Sequence, residues 1–157
     1  MRVLIVGYGN PLRGDDGVGP EIARRLGAEL QDPDIEILTE LQPRPELAEL
    51  MSQSQLTIFI DASAESQPGE IRVEEVRPPE TPHQRFTHQF APPMLLTTAK
   101  VLYGRIPRTY LVSIGGERFE LSEGLSDAVH QAIPKAIEAV RRLATPDGCL
   151  PAPDALS

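Results

Sequence analysis

The sequence predicts an α/β fold: a three-layer sandwich with a twisted, mostly parallel five-stranded sheet and helices on both faces. Three observations carry the expectation. Short apolar, β-branched runs without polar alternation read as parallel strands buried on both faces. Segments of helical periodicity alternate with these runs, as in βαβ units. A loop rich in glycine, asparagine and proline follows the first strand, where such folds place their functional residues.

Residues 2–6 form the first short, β-branched run without polar alternation, expected as a central strand. After the loop through Gly14, Asp15 or Asp16 can cap a helix reaching about residue 30, with Val18, Ile22, Ala23 and Leu26 on one face. Residues 35–38 read as a second strand, 45–52 as a helix, and 56–60 as a third strand that stops at Asp61. Residues 69–76 alternate as an antiparallel or edge strand does, and 77–82 hold three prolines and read as loop. A helix over 87–103 tolerates Pro92 and Pro93 near its start. A strand at 109–114 and an amphipathic helix over 126–143, expected to kink at Pro134, complete a single domain over 1–145. The segment 146–157 has three prolines and little periodicity, and is expected to be a poorly ordered tail.

The chain has 157 residues, enough to bury a core without disulfide or metal staples. Its net charge of -8 and pI near 4.9 oppose binding to phosphate backbones, so nucleic acid is not expected as a partner. Cys149 is the only cysteine, which excludes an internal disulfide and any CxxC site and fits a reducing compartment. The apolar run at 3–6 is too short for a signal-peptide core, and no stretch approaches the length of a membrane helix. The expectation is a cytoplasmic protein without membrane contact.

In a doubly wound sheet, ligands bind beyond the carboxyl ends of the strands where the strand order reverses. That rule brings Asn10, Asp15 and Asp16 of the first loop together with Asp61 at the end of the third strand. Carboxylates at a helix start repel a phosphate and hold a cation, and Leu12 stands where GxGxxG needs its third glycine. Asp16, Asp61 and one loop histidine, His83 or His88, would form an O,O,N set with open positions, suited to a transition metal. His130 falls within the last helix, and Cys149 lies in the tail without a base to activate it.

The string Val-Gly-Tyr-Gly-Asn-Pro-Leu-Arg-Gly-Asp-Asp-Gly-Val-Gly-Pro at 6–20 resembles the opening signature of the nickel–iron hydrogenase maturation endopeptidases. Ile58-Phe59-Ile60-Asp61-Ala62 resembles that family's second acidic segment, His88-Gln89 its histidine segment, and Ser122-Glu123-Gly124-Leu125-Ser126 the start of its final helix. The resemblance spans about residues 1–143 and implies a five-stranded sheet between helices. It also implies an endopeptidase that removes the C-terminal extension of a hydrogenase large-subunit precursor after nickel insertion. Carried over by motif, Asp16, where many members have Glu, would contact the metal and act in catalysis together with Asp61 and His88. The nickel would be supplied by the precursor, and the protein would act as a monomer.

Two segments depart from the family pattern. Leu41, Gln42, Pro43 and Arg44 replace an Asp-Gly-Gly-Thr type sequence and resemble the branch serving bidirectional, NAD-linked hydrogenases, with a role in selecting the substrate. Gly115-Gly116-Glu117-Arg118 replaces a Gln-Pro-Glu-Ser-like segment. A peptidyl-tRNA hydrolase also opens with a strand and Gly-x-Gly-Asn-Pro, but Pro20 stands where that family brings a histidine, and the net charge of -8 opposes tRNA. An aspartic-protease dyad is disfavoured because Asp61-Ala62-Ser63 lacks the Asp-Thr-Gly turn. A non-catalytic nickel-binding checkpoint is the alternative from another class.

Overall fold

The computed structural model describes residues 1–79 and 92–145. His83, His88, Cys149, the first part of the helix expected from residue 87 and the expected tail lie outside the described residues. The elements are β1 (Val3–Tyr8), a 3₁₀ turn (Gly14–Gly17), α1 (Val18–Glu29), β2 (Ile35–Glu40), α2 (Leu47–Ser52), β3 (Leu56–Ser63), β4 (Ile71–Val76), α3 (Pro92–Tyr103), β5 (Arg108–Gly115) and α4 (Asp127–Ala144). The sheet has the order β2-β1-β3-β5-β4, parallel except for β4, which runs antiparallel to β5.

Patterning along each strand follows its place in this order. All six residues of β1 are buried, as its unbroken apolar sequence requires of an interior strand packed on both faces. The edge strands β2 and β4 instead interleave exposed polar residues with half-buried apolar ones. One sheet face supplies Val3, Ile5, Ile58, Ile60, Val112 and Ile114 to a core shared with Ile22 and Leu26 of α1 and Ile133 and Val140 of α4. The opposite face packs Leu4, Val6 and Phe59 against Leu47 and Met51 of α2 and Leu95 and Leu96 of α3. Helices therefore cover both faces.

One expectation is corrected by packing. β3 does not stop at Asp61 but continues to Ser63, because the long neighbour β5 pairs with it as far as Gly115. The helix α4 runs from Asp127 to Ala144 with Pro134 inside it and a buried apolar face along the sheet. No helix among the described residues is long and apolar enough to cross a membrane.

The strand order reverses between β1 and β3, and glycines bring α1 close to the sheet there. A Cβ at Gly19 would meet the Tyr8 carbonyl at 2.7 Å and also collide with the Ile60 carbonyl, so only glycine lets the first turn of α1 rest against both strand backbones.

Candidate active site

The loop between β1 and α1 is shaped by contacts with the far end of the chain. Gly14 and Asp15 donate their backbone N–H groups to the carbonyls of Ser122 (2.9 Å) and Arg118 (2.8 Å). Asp15 is fully buried, and one carboxylate oxygen accepts the Glu117 N–H (2.7 Å), the Arg118 N–H (3.0 Å) and the Ser126 hydroxyl (2.8 Å). Its other oxygen accepts the Ser126 N–H at 2.7 Å. Burial pushes the Asp15 carboxyl up, but the hydrogen bonds from Ser126, Arg118 and Glu117 outweigh it and hold the pKa below the ordinary carboxylate value.

The expectation that Asp15 or Asp16 caps α1 is therefore corrected. Gly17 occupies the cap position, and no side chain bonds to the helix start. Asp15 instead secures Ser126, which is itself the cap of α4 and accepts the Val129 N–H. Nor does Asp15 join the crevice, because its carboxylate is consumed inside the protein. The structure also assigns a use to the departing Gly115–Arg118 segment: its last two backbone N–H groups neutralise Asp15.

Asp16 faces the other way. Its carboxylate accepts the Asn10 N–H at 2.7 Å. Gly9 sits so close to the Asp16 backbone, at a φ of +147°, that any Cβ there would collide with the Asp16 carbonyl. Asp16 and Asp61 line one open cleft of about 860 Å³ together with Tyr8, Leu41, Gln42 and Pro43. Leu41 is 69% exposed at this cleft. Arg44 does not line it and pairs with Glu40 at 2.8 Å.

Asp61 lies in β3 beside Ser113 of β5. Burial, and then the negative charge of Asp16, push its carboxyl up to about 7, against the pull of the Ala62 N–H and the Tyr8 hydroxyl. Tyr8 packs edge-on against Phe59 with ring centroids 5.9 Å apart. Burial and the charges of Asp61 and Asp16 in turn push the Tyr8 hydroxyl upward, so it remains a proton donor. A cation in the cleft would offset the burial and the negative charge of Asp16 that favour the protonated form of Asp61. Among the described residues no group of three or more His, Cys, Asp or Glu side chains gathers to hold a metal ion. His130 is exposed on α4.

No protein-family model and no curated sequence matches the chain. Solved structures do. Hydrogenase maturating endopeptidase HybD from E. coli is similar with a TM-score of 0.73 and 26% identity, over 89% of this chain and 90% of that one. The hydrogenase maturation protease HybD from Thermococcus kodakarensis is similar with a TM-score of 0.71 and 26% identity, over 92% and 100% of the two chains. HycI from Thermococcus kodakarensis is similar with a TM-score of 0.71 and 25% identity, over 88% and 89%. The chain shares its fold with hydrogenase maturation endopeptidases over 88–92% of its length. These neighbours are peptide-bond hydrolases, and this chain carries its cleft at the switch point of the sheet, lined in part by Tyr8, Gly9 and Asp16 of the 6–20 segment.

Proposed function

We propose that the protein cuts the C-terminal extension from a nickel–iron hydrogenase large-subunit precursor after nickel insertion, using Asp16 and Asp61 together with His88. The observation that carries the reading is the meeting of Asp16 and Asp61 in one open cleft beside the loop of Leu41, Gln42 and Pro43. A cleft open along one side admits an extended segment of a large partner, which an enclosed cavity would refuse.

Asp16 and Asp61 would hold the nickel that the precursor carries, with His88 as the nitrogen donor, a set that suits a borderline metal better than magnesium. Nickel in place supplies Lewis-acid polarisation of the scissile carbonyl. The chain's own residues move the proton: a carboxylate of the Asp16–Asp61 pair takes it from the attacking water and returns it to the leaving amine. The Tyr8 hydroxyl favours the ionised form of Asp61, while the Asn10 N–H fixes Asp16. Leu41, Gln42, Pro43 and Arg44 touch the body of the precursor and select it, and the resemblance of this loop points to the bidirectional, NAD-linked hydrogenases. The reading places the protein in the cytoplasm, acting as a monomer on its precursor.

Incubation with matched precursors, nickel-loaded and nickel-free, followed by mass measurement of the precursor C-terminus, tests the proposal. Catalytic shortening of the loaded precursor alone is the expected result. Equal cutting of both would remove nickel from the mechanism, and binding without cutting would favour a non-catalytic checkpoint.

A further inference from the structure

The cleft extends from Asp61 across β5 to the edge strand β4. Asp61 pairs with Ser113, and Ser113 pairs with Arg72. Side chains at paired positions lie on the same sheet face, so Asp61, Ser113 and Arg72 form one row across three strands, and all three line the cleft. At about 4.8 Å between strands, Arg72 starts roughly 10 Å from Asp61, the length of about three residues of extended peptide.

Charge sets Arg72 apart. Asp16, Asp61, Glu65 and Glu74 also line the cleft, and Arg72 is the only lysine or arginine among the described residues that do. Its Nε meets Glu70 at 3.3 Å, but the two side chains are 53% and 39% exposed, so the pair contributes little. The two terminal guanidinium nitrogens have no hydrogen-bond partner among the described residues. A forked donor set on the floor of an acidic cleft is built to take a carboxylate in bidentate fashion.

We propose that Arg72 is a specificity-determining residue that receives a carboxylate of the substrate peptide about three residues from the bond cut at Asp61. This rests on the peptidase reading above. The acidic surroundings repel other anions along the cleft, so the peptide is held in one register by one contact. The carboxylate comes from an acidic side chain near the cut or from the terminus of a short extension.

The test uses the full chain and nickel-loaded precursor, measuring both equilibrium binding and initial cleavage rates. Arg72→Ala should raise Kd and KM roughly ten- to a hundredfold, the range of a hydrogen-bonded charge contact, with kcat changed less than threefold. Arg72→Lys should recover part of the loss, and melting temperatures should match the wild type because Arg72 is exposed. Replacing acidic residues near the cut by their amides, one at a time, should reproduce the Arg72→Ala defect at one position and add nothing to that variant. If lengthening the extension by four residues has this effect instead, the carboxylate is the terminal one. Unchanged Kd and KM in Arg72→Ala and Arg72→Glu would overturn the inference. Wild-type protein that binds but never cuts would overturn the peptidase reading, while the binding series would still decide the role of Arg72.

Discussion

The carboxylate of Asp15 grips Ser126 twice, at the N–H (2.7 Å) and at the hydroxyl (2.8 Å), joining the first loop to the start of the last helix across 111 residues of sequence. Ser126 uses the same hydroxyl oxygen to accept the Val129 N–H. One buried negative charge thus holds both the loop that presents Asp16 and the cap of α4.

Removing that charge strands four donors. Asp15→Ala should cost about 3–5 kcal/mol, as expected for breaking a buried, fully bonded charge network. For a chain of this size the melting temperature should fall by roughly 6–20 °C. Asp16→Asn, one residue along, should melt within a few degrees of the wild type yet lose cleavage. Calorimetry of both variants beside an activity assay separates the two roles.

Asp61 should reveal itself in the pH dependence of stability of the metal-free protein. Its folded pKa is raised from 3.8 to about 7, so the folded state holds the proton more tightly than the unfolded chain does. The resulting stability is fully present below the unfolded value and is lost as pH rises through 7. Asp61→Asn cannot ionise and escapes this loss. Its stability relative to wild type should therefore grow from pH 4 to pH 8, by up to about 4 kcal/mol. A difference in unfolding free energy that stays constant over that range would contradict the assignment.

The same Asp61→Asn variant should fold and fail to process precursor. His88→Ala should also be inactive and His83→Ala nearly normal, because His88 carries the glutamine that follows it in the family segment. Release of the C-terminal peptide, scored by mass, distinguishes the two histidines, and the reverse result would exchange them.

Replacing Gln42 and Arg44 should change which precursor is cut more than it changes the rate on the best one. Loop side chains at a cleft rim discriminate partners through contacts with the partner's body. Competition between two precursors in one reaction gives the ratio directly, and equal loss on both would argue for a role in catalysis or folding.

The mostly parallel sheet and its switch point were legible because β1 and the first part of β3 are mostly apolar and the 6–20 loop is crowded with glycines. The division of labour between Asp15 and Asp16 was not. Adjacent side chains in a 3₁₀ turn diverge by about 120°, so one enters the protein and the other faces the cleft, and nothing in Asp-Asp says which. The answer depends on the N–H groups of Glu117 and Arg118, more than 100 residues away. Arg72 carries no sequence signal for a similar reason: its alignment with Asp61 is set by antiparallel register with β5, a relation between strands that no local pattern carries.

The grip of Asp15 on the start of α4 also bears on the order in which the molecule comes into being. Chains are made from the N-terminus, and contacts between distant segments must wait for the later one. Val3 to Ser63 could be synthesised in full, with Asp16 and Asp61 both present, while β5 and Ser126 were still unmade. In that interval the loop lacks its anchor and β3 has β1 beside it but not β5. A growing chain on the ribosome would thus carry both acids of the site without the means to hold them in place, and hydrolytic competence would arrive only near the completion of synthesis.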